Sequence, residues 1–193
     1  MAKLIAPVVP AGAMANEPQP EITIDEELML RPWTHDDVAV AITAFAAADI
    51  QHWHFRRFDT KLEAAEWITG LNRGWAEETC ATWAIVFRPE AMVVGRVSIH
   101  TDLEDGHGEV SYWVLPHARG KGVATRACVA ATEWAHALGL NRIQLQHSTR
   151  NQGSRRVALK AGFVEEGVRR GANLHADGWH DMRLYSRLAD DPV

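Results

Sequence analysis

From Tyr112 to Ala124 the chain reads Tyr-Trp-Val-Leu-Pro-His-Ala-Arg-Gly-Lys-Gly-Val-Ala. A strand-like run ends at a proline, a glycine-rich turn follows, and a helical pattern begins at once. The first N–H groups of such a helix have no partner within it, and the helix dipole adds partial positive charge there. Gly120 and Gly122 let a ligand come close to the backbone, while Arg119 and Lys121 add full charges. Together these make a cradle for phosphate oxygens. The spacing is neither the GxxxxGK(S/T) loop of ATP-binding proteins nor the GxGxxG turn of dinucleotide folds. The competing reading is an ordinary strand-to-helix turn with solvated Arg and Lys side chains.

Pattern also predicts the elements that must position this turn. Residues 27–33 read as a strand that stops near Pro32. Thr34-His-Asp-Asp37 and Thr60-Lys-Leu-Glu63 are capping boxes. The first opens a helix over 38–48, and the second a helix carrying Leu62, Ala65, Trp67, Ile68 and Leu71 at a period near 3.6. Between them lies Gln51-His-Trp-His-Phe-Arg-Arg-Phe58, aromatic and basic with no clean period. Strands follow at 81–88, 92–102 and 109–115. A helix runs from Gly120 to about Leu138 with Ala127, Ala131, Trp134 and Leu138 facing the core, and Gly139 stops it. A strand at 142–147, a helix at 151–161 and strands at 163–168 and 179–188 complete the chain, the last two flanking a loop at 171–178. Strands mixed with helices in this order imply an α/β or α+β sandwich around a mixed sheet. A single domain over 21–193 is expected, after a flexible tail at 1–20 whose clustered prolines break regular elements.

Composition narrows the function classes. The 193 residues carry 20 basic and 25 acidic side chains, a net charge of −5, without the basic footprint of a nucleic-acid binder. No apolar run reaches the length of a membrane span. Residues 3–15 imitate a secretion signal in outline, but Pro7 and Pro10 interrupt them, which favours a tail or a later start at Met14. Cys80 and Cys128 do not make a disulfide framework, so a reducing, cytoplasmic setting is expected, with both thiols buried. His52-x-His54 has no Cys or carboxylate at ligand spacing, so no metal is expected. Of the eight tryptophans, Trp67, Trp75, Trp83 and Trp134 read as packing, and Trp33 and Trp179 have no assigned place.

Arg119-Gly-Lys-Gly122-Val-Ala124 fits the Q/R-x-x-G-x-G/A signature of the GNAT superfamily of acyl-CoA N-acyltransferases. Residues 27–188 resemble its Rim branch, the ribosomal-protein alanine N-acetyltransferases and their small-molecule relatives. The resemblance rests on Leu30-Arg-Pro32, on Glu109-Val-Ser-Tyr-Trp113 before the signature, on Asn151-Gln-Gly-Ser154, and on Lys160-Ala-Gly-Phe163, four features in order. It implies a GNAT fold: a mixed, mostly antiparallel sheet with a V-shaped splay between its fourth and fifth strands, flanked by four helices.

The resemblance further implies acetyl-CoA as co-substrate. Its pantetheine arm would lie in the splay against the backbone of Trp113, Val114 and Leu115, and its pyrophosphate on the amides of Arg119, Gly120, Lys121, Gly122, Val123 and Ala124. Asn151 would bond the pantetheine, and Arg155 with Arg156 would reach the adenosine end. Glu109 is the first candidate for the base that frees the acceptor amine, sharing a strand face with Ser111 and Trp113. His147, at the end of a strand, is the second. Each has a structural alternative: an orienting carboxylate for Glu109, a packing residue for His147. The tyrosine that serves many GNAT enzymes as acid for the leaving thiolate is replaced here by Ala158, and Ser154 is its natural substitute, with helix capping as its other role. Trp53, Phe55, Arg56 and Arg57 fall where the family builds its acceptor wall, an arginine there pairing with a substrate carboxylate or phosphate. The alternative is an exposed loop. The expected reaction is transfer of acetyl to a primary amine of a small molecule, amino acid or peptide N-terminus, by a monomer or homodimer. The alternatives are succinyl or another acyl group as cargo, or a non-catalytic acyl-CoA sensor.

Overall fold

The computed structural model describes residues 4–192. Eight strands form one sheet in the order β1-β2-β3-β4-β5-β6-β8-β7. They are β1 (Ile22–Thr23), β2 (Leu28–Pro32), β3 (Cys80–Phe87), β4 (Met92–Asp102), β5 (His107–Val114), β6 (Arg142–Ser148), β7 (Val164–His175) and β8 (Gly178–Leu188). Every neighbouring pair is antiparallel except β5 with β6. Five helices pack on it: α1 (Val38–Ala46), α2 (Ala48–His54), α3 (Lys61–Ala76), α4 (Val123–Leu138) and α5 (Gln152–Lys160).

Two apolar cores sandwich the sheet. On one face α4 presents Ala127, Ala131 and Ala135, all fully buried, and their small side chains bring the helix close to Ile99, Val110 and Ile143. On the other, α1 to α3 bury Phe45, Ile50 and Ile68 against Trp33, Ala84 and Trp113. The capping boxes at Thr34 and Thr60 both form and Gly139 ends α4 at φ 110°.

Four expectations are corrected. First, residues 8–20 are docked on the domain, while residues 4–7 are exposed; residues 1–3 of the expected tail lie outside the described residues. Val9 and Met14 are buried. The Glu78 carboxylate accepts N–H bonds from Gly12, Met14 and Ala15 at 2.8, 2.7 and 3.2 Å. The indoles of Trp75 and Trp83 donate to the carbonyls of Glu17 and Pro20 at 2.9 and 2.8 Å. Proline removes backbone donors, which excludes regular structure but not docking through side chains. Second, residues 51–54 of the region without a clean period belong to α2, which starts at Ala48 after the first helix ends at Ala46, giving five helices instead of four. Third, the expected loop at 171–178 is mostly strand: β7 and β8 make a continuous hairpin, with register shifts at Glu165/Gly167 and Arg169/Asn173 that hid the alternation. Fourth, Leu62 faces solvent at 68% exposure while Ala64 takes its place in the core.

Candidate active site

The parallel ladder between β5 and β6 is short. It pairs His107 with Arg142, Gly108 with Ile143 and Glu109 with Gln144, and then stops. Beyond Glu109, β5 stays with β4 as far as Val114, while β6 stays with β8 as far as Ser148. The strands therefore splay, and a cavity of about 670 Å³ opens between them, running from Glu109 to the turn before α4.

Alternation along β5 decides what faces this gap. The Leu115 N–H donates to the Val94 carbonyl at 2.8 Å. Residues two apart share that orientation, so Trp113 also turns its backbone to β4, and Tyr112 and Val114 turn theirs to the gap. Of the three expected pantetheine contacts, Trp113 and Val114 line the cavity and Leu115 does not. Trp113 and Leu115 are buried in the core under α1 to α3, the Trp113 ring 6.0 Å from Trp33 and 5.8 Å from Phe45. Val114 turns its backbone to the gap, and its carbonyl accepts from Arg119 Nε at 2.8 Å.

The glycine turn has the expected backbone. Gly120 and Gly122 stand at φ 76° and 75°, in the left-handed region that glycine adopts without strain. Gly122 caps α4, and a Cβ on either glycine would meet nothing within 4 Å. Gly120, Gly122, Val123 and Ala124 line the cavity. Arg119 lines the cavity with them, together with Asp49. The Arg119 guanidinium is paired with Asp49 of α2 and its N–H with the Pro116 carbonyl. Lys121 lies 5.6 Å over the Phe87 ring, and the N–H groups at the start of α4 add to the positive field of the turn.

Across the gap, Asn151 caps α5 by accepting the Ser154 N–H at 2.9 Å, which directs its amide nitrogen away from the helix. Ser154 is therefore not the cap, and its hydroxyl meets the Tyr112 hydroxyl at 2.7 Å. Burial pushes the Tyr112 phenol well up, so it stays protonated. Tyr112 was missed because its strand reads as packing; a tertiary neighbour reveals its role. Ala158 is fully buried, leaving no acid at that position. Arg156 lines the cavity, whereas the expected Arg155 acts on Glu165 and Tyr185 of the β7–β8 hairpin.

Glu109 and His147 lie on opposite faces of the sheet. Both Glu109 oxygens accept amide N–H groups, from Gln144 and Gln146, each at 2.9 Å. His147 is stacked on Tyr185 and bonded through Nδ1 to the Ser148 carbonyl at 2.8 Å, with Nε2 buried and unpartnered. Burial lowers its pKa.

Of the expected acceptor wall, Trp53 lines the cavity. Phe55 closes α2 at φ 50° with its ring 4.6 Å from His175. Arg56 is exposed, and Arg57 is paired with Asp59 in solvent at 2.8 Å. His54, Asn173, His175 and Met182 complete the wall; the last three were missed with the hairpin that carries them. Burial and the cations Arg96 and Arg56 press the His54 pKa down to about 4, and its ring bonds the Tyr112 backbone. Among the described residues no cluster of His, Cys, Asp or Glu fits a metal ion.

Residues 27–164 match the acetyltransferase (GNAT) domain family. YdaF of Bacillus subtilis (strain 168), which carries a ribosomal N-acetyltransferase name, is 34% identical over 102 residues, 51% of this chain and 55% of its own length. The chain thus spans about half of that relative. A ribosomal-protein alanine acetyltransferase from Vibrio fischeri shares the fold at a TM-score of 0.78 and 24% identity, over 86% of this chain and 96% of its own. So does the ribosomal-protein α-N-acetyltransferase RimL in complex with coenzyme A, at 0.80 and 19%, over 90% of this chain and 100% of its own. With its signature turn at the splay, and with most of its length matched, the chain belongs to the GNAT acetyltransferase family.

Proposed function

We propose that the protein transfers the acetyl group of acetyl-CoA to a primary amine, and that the amine of a peptide N-terminus or an amino acid is its acceptor. The observation that carries this is the parallel ladder that ends at Glu109 and opens a cavity from there to the glycine turn. The names of YdaF and of the two structural neighbours, given to enzymes of ribosomal-protein amines, support a peptide acceptor.

Acetyl-CoA would supply an activated thioester as substrate. The residues fit it: a glycine cradle at the α4 N-terminus for the pyrophosphate, inward-facing backbone at Tyr112 and Val114 for the amides of the arm, and the free end of Asn151. Two proton tasks remain for the side chains. An α-amino group has a pKa near 8 and is mostly protonated at neutral pH, so it must lose a proton before attack. Glu109 suits this task, because Gln144 and Gln146 fix both oxygens beside the cavity. The departing sulfur needs a proton on the opposite face of the gap, where Ser154 and Tyr112 meet. His147 shares that second face, which favours Glu109 as the base. N–H groups of the splayed strand stabilise negative charge on the carbonyl oxygen.

Thiol release from acetyl-CoA with a panel of amines and short peptides tests this reading. Turnover is expected with an α-amine. Turnover only with succinyl-CoA, or acetyl-CoA binding with no turnover on any amine, overturns it.

A further inference from the structure

Arg96 projects from β4 onto the sheet face that carries Glu109 and Ser111, and the established parts of the site do not use it. Its Nη2 donates to Ser98 Oγ at 3.0 Å and to Ser111 Oγ at 2.7 Å, and the two hydroxyls lie 3.0 Å apart. Its Nε is buried with no partner, and among the described residues Nη1 donates to no protein acceptor. No Asp or Glu is paired with it among the described residues; the Cys80 thiol favours its charge, Arg56 opposes it, and His54 and His100 also feel it. Trp113, its cross-strand partner, has an indole N–H that is also buried without an acceptor. The neighbourhood thus holds an excess of donors, and among the described residues no carboxylate faces the Arg96 cation. A buried charge without a counter-charge is costly unless something else supplies one.

The hydroxyls show where that anion enters. Ser98 is fully buried, so its proton goes to Ser111, the acceptor beside it. Ser111 then accepts from both Ser98 and Arg96, and its own O–H is left to point into the cavity it lines. A ligand oxygen beside Ser111 would receive that proton with the Arg96 charge directly behind it. Ser111 lies two residues from Glu109, about 7 Å along a strand, which sets an acidic group a few bonds from the reacting amine. Arg56, exposed at the mouth, adds to the positive field on this wall.

We propose that Arg96 and the Ser111 hydroxyl form a carboxylate subsite, so that the acceptor is an amine carrying an acidic group close to its reacting end. Such an acceptor is an N-terminal residue followed by Asp or Glu, or an acidic amino acid. The proposal rests on the reading that the groove beside Glu109 receives the amine.

The test compares Ser-Glu-Ala-amide with Ser-Gln-Ala-amide, peptides that differ only in the carboxylate. Turnover is followed by thiol release, and equilibrium binding of the two N-acetylated products to the CoA complex is measured separately. The wild-type protein is expected to favour the acidic member by roughly 10- to 100-fold, the worth of a charge-assisted hydrogen bond. Arg96→Gln is expected to bring that ratio near one, and Arg96→Lys to restore part of it. Because Arg96→Gln removes a buried cation with no carboxylate partner among the described residues, its melting temperature should stay level or rise. A ratio near one in the wild type, in turnover and in product binding, overturns the subsite. So does a ratio that Arg96→Gln leaves unchanged while lowering the melting temperature, since Arg96 would then serve only the fold. Arg96-dependent binding of the acidic product without turnover of either peptide keeps the subsite and overturns the transfer reaction instead.

Discussion

The hydroxyls of Tyr112 and Ser154 lie 2.7 Å apart, joining the splayed strand β5 to the first turn of α5 across the cavity. One residue comes from the middle of a strand that reads as packing, the other from a helix start that reads as a cap. Their contact is the proposed proton donor of the site, where Ala158 stands at the position the family resemblance gives to a tyrosine.

Replacing either member tests that donor. Tyr112→Phe and Ser154→Ala are each expected to lower kcat by about 100-fold or more, the usual worth of a positioned proton donor. The KM for acetyl-CoA should change much less. Residues that act as a unit are not additive, so the double variant should be little slower than the worse single one in steady-state kinetics.

Glu109→Gln removes the proposed base while keeping an amide of the same shape. A loss of kcat/KM of about 100-fold or more is expected. The residual rate should climb with pH through the acceptor's own pKa, near 8 for an α-amine. A pH–rate profile that keeps the wild-type shape would assign the proton elsewhere.

At the turn before α4, Gly122→Glu puts a side chain and a negative charge where phosphate oxygens would sit. The left-handed backbone at φ 75° adds strain of about 1–2 kcal/mol. Loss of CoA binding in calorimetry, with a circular dichroism spectrum like the wild type, is the expected result.

The docked N-terminal segment should contribute measurably to stability. Met14 is fully buried, and Met14→Ala is expected to cost about 2–5 kcal/mol in denaturant unfolding. Glu78→Gln, which weakens the three N–H bonds that hold the segment, should lower stability by less.

Acid stability gives a further check. The Arg142 guanidinium, with help from Ser186, holds the Glu166 carboxyl at about 2, below its ordinary 4.5. A depressed folded-state pKa stabilises the fold above pH 4.5, and that contribution is lost as pH falls from 4.5 towards 2. Arg142→Met should therefore move the acid-unfolding midpoint to higher pH. At neutral pH its cost should be under about 1 kcal/mol, because the pair is partly exposed.

Much of the site was legible along the chain because its parts are local. Gly120 and Gly122 must lie at a left-handed turn, Thr34 and Thr60 must cap helices, and Glu109 must share a face with Ser111. These follow from φ preferences, capping chemistry and the two-residue period of a strand. The helix α2 was not legible, because seven residues are too few for a period to show. Nor was the β7–β8 hairpin, whose register shifts break the alternation. His54, Asn173, His175 and Met182 were lost with them.

By itself the sequence determined the fold family, the glycine turn before α4 and the strand that carries Glu109. Only the tertiary structure decided which side chains meet. It committed Arg119 to Asp49 and turned Lys121 away from the cradle. It placed His147 on the opposite face from Glu109, brought Tyr112 to Ser154, and set Arg96 behind Ser111 with no carboxylate partner among the described residues. Backbone conformation is fixed by neighbours a few residues apart, whereas a side chain's partner is fixed by which strands and helices pack together, and no local spacing encodes that.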